Sequence, residues 1–166
     1  AALVWEARGK GGCLRLENPR TGGDVSVPFP VAPFDARRWP CLAFEYRLPA
    51  TTRLNLYLRA FGRWHVIGLT GPTAADAHQV TESRPISGRL TAVAGLQLEQ
   101  PPPVPLGRMP VTADDAWHEA EFSLLDALQQ HYPDADEYGV SDLHLGNWSN
   151  QGYLQCGFNG NRVGPL

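Results

Sequence analysis

The sequence lacks long apolar runs and an excess of positive charge, and each absence argues against a large class of protein. No run approaches the roughly 18–20 apolar residues that a membrane-spanning helix needs, so we expect no membrane partner. The 14 basic and 17 acidic residues give a formal net charge of −3, which offers phosphate backbones no basic surface. We therefore expect no nucleic-acid partner.

Cysteine is also scarce. The three cysteines, Cys13, Cys41 and Cys156, have no C-x-x-C spacing, so a zinc site or a thioredoxin-like pair is not supported. One disulfide with one free thiol and three buried free thiols in strands are the two alternatives, and the second fits the small, apolar character of cysteine.

Motifs of nucleophilic or zinc enzymes are missing as well. The serines show no nucleophile-elbow pattern, and the five histidines have no i, i+4 spacing. Carboxylates do occur in pairs, Glu119 with Glu121 and Asp114 with Asp115, and a glycoside hydrolase needs two carboxyl groups. Such pairs are also ordinary on solvated strands, so catalysis ranks third among the hypotheses. We expect a protein without enzymatic activity.

Glycine and proline, by contrast, are abundant. The 17 glycines and 15 prolines are spread along the chain, which predicts many turns between short strands and an all-β fold. Alternating or apolar runs predict strands at residues 4–8, 13–17, 25–29, 41–48, 53–59, 64–70, 89–98, 119–124 and 140–145. We expect segments 41–48, 53–59 and 64–70 to form a hairpin-linked meander, with Leu54, Leu56 and Leu58 facing inward.

The 166 residues fit a single module, residues 1–166. Leu124, Leu125, Leu128 and Tyr132 recur at helical spacing before Pro133, which predicts one short helix near 124–132. The proline cluster at 101–105 predicts a long irregular loop around 99–113, because proline does not fit inside a sheet.

Aromatic and polar residues suggest a ligand site on the outward faces of the strands. Trp148 lies in a Gly-Asn-Trp-Ser-Asn loop, where it is either a platform for a sugar ring or a core plug. The outward polar set is either the floor of a groove or a solvated face with ion pairs. Trp39 and Trp117, at strand starts, are interpreted as core plugs. The candidate ligand-binding residues are Glu45, Arg47, Asn55, Tyr57, Arg59, Trp64, His144, Asn147, Trp148 and Asn150.

No cofactor is expected, although a structural calcium ion remains an alternative. Glu17, Asn18 and Asp24 flank two glycines and supply the oxygen ligands that calcium prefers. They are interpreted as turn residues first and as metal ligands second.

Segments 33–40, 42–47, 63–71, 117–122 and 146–148 together resemble a galactose-binding-like jelly-roll, a β-sandwich similar to bacterial carbohydrate-binding modules. The likeness extends over about residues 3–160. Such modules usually end with a further strand, which is missing before Leu166. Either the strand order differs or the closing strand lies outside this chain.

The resemblance implies an antiparallel sandwich that binds polysaccharide or oligosaccharide without catalysis. It also implies attachment to other domains of a larger secreted bacterial protein, outside the cell or at its surface. The alternative is a protein-interaction or structural module whose polar sheet face meets another domain.

Overall fold

The computed structural model describes residues 2–8, 11–17, 25–71 and 101–148, which form ten strands and one helix. The strands are β1 (Ala2–Arg8), β2 (Gly11–Glu17), β3 (Val25–Pro28), β4 (Phe34–Asp35), β5 (Cys41–Arg47), β6 (Asn55–Ala60), β7 (Arg63–Gly68), β8 (Val104–Arg108), β9 (Trp117–Ser123) and β10 (Gly139–Asn147). The helix, α1 (Leu124–His131), follows β9 directly. The predicted all-β class is therefore confirmed. The predicted strand at 89–98 lies outside the described residues.

Six of the strands form one mixed sheet in the order β3–β10–β6–β7–β8, and β4 also pairs with β10. β10 is antiparallel to its partners β3, β4 and β6, whereas β8 runs parallel to β7. The antiparallel arrangement we expected therefore holds for the described strand pairs other than β7 with β8. The arrangement is consistent with a sandwich, and the jelly-roll order stays a prediction.

β5 and β9 form a second, separate antiparallel sheet, and β1 and β2 form a hairpin. The predicted pairing of segments 41–48 and 53–59 is therefore wrong, because the turn after β5 carries the chain into the other sheet. Only β6 and β7 of the predicted meander pair with each other. Alternation identifies the buried side of a strand, but the partner of β5 lies far along the chain, with Cys41 opposite Ser123.

The core lies between these two sheets and α1. Leu56, Leu58 and Ile67 of the large sheet are at most 2 % exposed, and they join a cluster that includes Tyr46 of β5 and Leu124 of α1. The inward faces predicted for β5 and β6 are confirmed. Both sheets pack against this cluster with their inner faces, so their outer faces lie on opposite sides of the molecule.

The short helix occurs where the leucine spacing predicts it. Leu124, Ala127 and Leu128 are buried, and the Tyr132 N–H donates to the Leu128 carbonyl as the helix ends before Pro133. Within the described ranges, no helix has the length and apolar character needed to cross a bilayer.

The proline-rich segment is not a loop throughout. Val104–Arg108 forms β8, and Pro105 is accommodated because β8 ends the described sheet and pairs on one side only. A register shift occurs opposite Val66 and Ile67, where Gly107 has a φ of +127°. Glycine tolerates this backbone conformation better than other residues do.

Two tryptophans interpreted as core plugs lie on the surface instead. Trp39 is 59 % exposed and Trp117 is 41 % exposed. The Arg8 guanidinium lies 3.7 Å from the centre of the Trp117 ring, on the outward side of β9. A large ring at a strand start is thus covered here by a cation rather than by the core.

The described cysteines are free thiols, Cys13 half-buried and Cys41 exposed. The prediction of buried thiols is wrong for Cys41, because alternation places it on the outward face of β5. The pKa of Cys41 is raised, mainly by a hydrogen bond with Glu121. Cys156 lies outside the described residues.

Candidate functional site

Two rows of side chains cross the outer face of the six-stranded sheet. Tyr57 on β6 pairs with His144 on β10, and in the next row Arg59 pairs with Trp64 on β7 and with Asp142 on β10. Directly paired residues project to the same side of a sheet. The register therefore brings together Tyr57, Arg59, Trp64 and His144, which the sequence predicts as ligand-binding residues from three separate strands.

Trp148 completes this group because it follows the end of β10 and folds back over Tyr57. The two rings stack with centroids 4.2 Å apart and planes 14° apart, and the Trp148 backbone N–H donates to Tyr57 Oη at 2.8 Å. Tyr57 is only 3 % exposed as a result, whereas Trp148 is half-buried. Tyr57 is thus a base for Trp148 and not itself a platform, which corrects its predicted role.

Trp64 and His144 support the stacked pair from the side. Trp64 stands nearly perpendicular to Trp148, with ring centroids 4.6 Å apart, and His144 contacts both rings edge to face. Such edge-to-face contacts are favourable between aromatic rings. We call Tyr57, Trp64, His144 and Trp148 the aromatic cluster.

The aromatic cluster is uncharged near neutral pH. Burial lowers the pKa of His144, and the nearby Asp142 carboxylate opposes that shift only in part. His144 Nδ1 lies 2.8 Å from Ser26 Oγ on β3, so its ring is oriented by a hydrogen bond. Ser26 carries no sequence signal for this role, since a serine beside glycine-rich turns is common.

Within the described part of the chain, one polar atom of the aromatic cluster lacks a hydrogen-bond partner. The indole Nε1 of Trp148 is buried and has no hydrogen-bond partner among the described residues. A buried donor without an acceptor costs about 1–3 kcal/mol.

Two predicted ligand residues on the same sheet are buried. Asn55 is fully buried, and its Oδ1 accepts the Leu69 N–H at 2.9 Å as the chain folds over it after β7. Gly71 lies so close that a Cβ there would be 2.9 Å from the Asn55 side chain. Asn147 is only 4 % exposed. Both are therefore structural amides in this fold, and Asn150 lies outside the described residues.

Two further predicted residues, Glu45 and Arg47, lie on the opposite side of the molecule, on the outer face of β5. Arg47 binds Asp115 through two hydrogen bonds of 2.9 Å, which hold the pKa of Asp115 below its ordinary range. Glu45 pairs with Arg8. The prediction that these residues share one groove with Tyr57 is wrong, because β5 belongs to the other sheet.

This second face is charged and open. Glu45 lies directly opposite Glu119 on β9, and Glu121 lies two residues further on the same side. Together with Ala43 they border a shallow depression of about 390 Å³. Glu119 and Glu121 are both exposed, which places the carboxylate pair on a solvated strand.

Among the residues with described placement, no cluster of three or more histidine, cysteine, aspartate or glutamate side chains could hold a metal ion. The predicted calcium ligands are Glu17, Asn18 and Asp24. Asn18 and Asp24 lie outside the described residues, and only the backbone of Glu17 is described.

A larger depression, of about 800 Å³, lies at the end of the six-stranded sheet near the β6–β7 turn. Its polar lining includes Asp35, Arg37, Arg59, Asp136 and Glu137. Arg59 therefore borders both this depression and the row that carries Trp64. We call it the sheet-end depression. No sequence pattern predicts it, because its lining comes from three distant segments.

Comparison with known proteins yields no relative: no protein-family model, no curated protein and no solved structure matches this chain.

Proposed function

We propose that the chain is a non-catalytic carbohydrate-binding module that holds a sugar ring against the aromatic cluster. The observation that supports this most directly is the pair of half-buried tryptophans, Trp64 and Trp148, whose rings stand at 82° on a buried aromatic base. A sugar has flat C–H faces and a rim of hydroxyl groups, so its site needs rigid rings beside hydrogen-bonding groups.

The aromatic base makes the platform rigid before a ligand arrives. Trp148 is held by the stack with Tyr57, by the edge of Trp64 and by its backbone hydrogen bond to Tyr57 Oη. A preformed ring loses little conformational freedom on binding, which favours affinity. Because Trp64 and Trp148 are perpendicular rather than coplanar, this platform suits one sugar unit.

Hydrogen-bonding groups flank the two rings. His144 contacts both rings edge to face and is neutral at pH 7, and the Ser26 hydroxyl is hydrogen-bonded to it. These groups can donate to and accept from hydroxyl groups without a net charge that would select an ionic ligand. We propose an extracellular or cell-surface parent protein, as such modules usually have.

Affinity-gel electrophoresis against soluble polysaccharides tests the proposal. The informative variant is Trp148→Leu, which keeps an apolar cover over Tyr57 but removes the flat ring. We expect the wild type to be retarded by at least one glycan and Trp148→Leu to bind that glycan about 5- to 150-fold more weakly.

The matched control is Trp117→Leu, because Trp117 is also partly exposed but lies on the other side of the core. Its retardation should equal that of the wild type. Migration unaffected by every glycan, or equal losses in the two variants, would contradict the proposal.

A protein-interaction module is the second candidate, and the β1–β2 hairpin favours it. Trp5 and Leu14 are cross-strand partners on one side of the hairpin, 69 % and 40 % exposed. Exposed apolar pairs of this kind are common at protein interfaces. Hydrogen exchange of this module, alone and within its parent protein, would test it, since added protection in the parent protein confined to β1 and β2 is the expected result.

A further inference from the structure

We propose that the sheet-end depression is a second sugar subsite, so that the ligand is an uncharged oligosaccharide chain that passes from the aromatic cluster across Arg59. The inference rests on the proposed function and adds to it the length and charge of the glycan. Three observations carry it: the position of Arg59, the chemistry of the lining and the fixed geometry of the β6–β7 turn.

Arg59 is placed between the two sites by the strand itself. Strand residues rise by about 3.3 Å each, so Arg59 lies roughly 7 Å beyond Tyr57 and Phe61 roughly 13 Å beyond it. Tyr57 carries Trp148, and Phe61 lines the sheet-end depression. A ligand longer than one ring that leaves the aromatic cluster along β6 therefore meets Arg59 first and the depression next.

Arg59 is also available for a ligand. It is exposed, and it makes no hydrogen bond or ion pair within the described parts of the chain, although Asp142 is its cross-strand partner. Arg37, the other arginine of the depression, is fixed by a hydrogen bond to the Ala135 carbonyl and lies over the Tyr138 ring. The Arg37 guanidinium is thus part of the wall of the depression, whereas the Arg59 guanidinium can bind a ligand.

The charges of the depression favour a neutral ligand. Two guanidinium groups, from Arg37 and Arg59, stand beside three carboxylates, from Asp35, Asp136 and Glu137. Neither sign dominates, so a polyanion or a polycation gains little there. The same set offers donors and acceptors together, which is what a row of hydroxyl groups requires.

The wall beside Arg59 is rigid. Phe61 and Gly62 form the two-residue turn between β6 and β7 with φ angles of +53° and +69°. A phenylalanine in this region is unfavourable, and it is held there by a stack on Tyr132 at 4.1 Å and an edge contact with Tyr138. The shape of the depression is therefore set without a ligand.

Isothermal titration calorimetry tests the inference with oligosaccharides of increasing length, from disaccharide to hexasaccharide. These oligosaccharides are prepared from the glycans that retard the protein in the gel assay. We expect wild-type affinity to rise with length, and Arg59→Gln to lower affinity for the hexasaccharide about 10-fold while that for the disaccharide changes less than about twofold. Glu137→Gln should show the same dependence on length, less strongly.

The control is Arg53→Gln, because Arg53 lies in the turn before β6 and, among the residues that the structure describes, bonds to carbonyls of that same turn, Ala50 and Thr52. It should leave all affinities unchanged. Affinity that does not rise with length, or an equal loss in Arg59→Gln at every length, would overturn the second subsite while leaving the proposed function intact. Stronger binding of oligogalacturonate than of every neutral series would overturn the uncharged ligand. No glycan bound at all would instead refute the proposed function.

Discussion

The two outer faces of this protein are built from the same alternating strands but differ in what covers them. On the six-stranded sheet, outward residues such as Tyr57 are buried under further aromatic rings. On the β5–β9 pair, outward residues such as Glu45 and Arg47 stay in solvent and form ion pairs. One face carries a second apolar layer and the other is a solvated surface.

The difference shows that an outward position in a strand does not determine exposure. Tyr57 and Glu45 both point away from the core, yet Tyr57 is 3 % exposed and the Glu45 side chain is 50 % exposed. A chain segment that returns over the sheet, here the end of β10 with Trp148, decides the outcome. The aromatic face should therefore contribute to stability, and the charged face should contribute little.

The largest difference is expected between Tyr57→Ala and Glu45→Ala. Tyr57→Ala removes a buried ring, its stack with Trp148 and the acceptor of the Trp148 N–H, so we expect the free energy of unfolding to fall by about 3–5 kcal/mol. Glu45→Ala removes an exposed ion pair with Arg8 and should cost at most about 1 kcal/mol. Urea denaturation measures both, and equal losses would abolish the distinction between the two faces.

Acid should destabilise the protein through a histidine on the buried side of the large sheet. His65 is fully buried beside Tyr132 Oη, and burial lowers its pKa below the ordinary value of 6.5. The unfolded chain therefore binds a proton more readily. Stability should be complete above pH 6.5 and fall below it, by up to about 1.4 kcal/mol per pH unit, until the folded pKa is reached.

The measurement is the free energy of unfolding between pH 5 and 8 for the wild type and for His65→Leu. The variant should lose most of this slope, and His144, whose pKa is also lowered by burial, accounts for a remaining part. A wild-type stability that rises as the pH falls through 6.5 would contradict the assignment.

On the charged face, loss of the hydrogen bonds between Arg47 and Asp115 should change the pKa of Asp115. In Arg47→Ala, the pKa of Asp115 should rise toward its ordinary value of 3.8, because its main hydrogen-bond donor is gone. NMR titration of the carboxyl carbons measures this. Asp114 is an internal control, since the Ala116 N–H and His118 hold its pKa down; an equal rise in both would refute the pairwise cause.

The smallest effect concerns Glu119, which lies directly opposite Glu45. Like charges at such positions repel, so Glu119→Gln should stabilise the protein by about 0.2–0.5 kcal/mol. Thermal melts at low salt measure the difference. High salt should reduce it, and a clear loss of stability would show that Glu119 has a favourable partner.

Local features of the chain were predictable from the sequence, and long-range pairing was not. Alternation identified Leu56 and Leu58 as core residues, and leucine spacing placed α1 within one residue of its end. The partner of β5 could not be inferred, because alternation carries no information about strands tens of residues away. The irregular loop predicted around Pro105 was wrong for a related reason. Proline is tolerated in an edge strand, and the sequence does not show which strand lies at an edge.

The candidate site divides in the same way. Trp148, Trp64 and His144 were identified from residue chemistry, and the structure brings them into contact. Asn55 was taken as a ligand because its type suits sugars, yet the segment after β7 covers it. Residue type predicts what a side chain can bind, whereas burial by a distant segment decides whether anything reaches it.

The central position of β10 has a consequence for synthesis of the chain. β10 pairs with β3, β4 and β6, all of which leave the ribosome much earlier. His144 lies opposite Pro28, and at ordinary rates of translation their emergence is separated by a time on the order of ten seconds. During that interval β3 and β6 lack the strand that joins them. A nascent chain that ends before Gly139 can pair β6 with β7 and β7 with β8, but β3 and β4 should join the large sheet only once β10 is available.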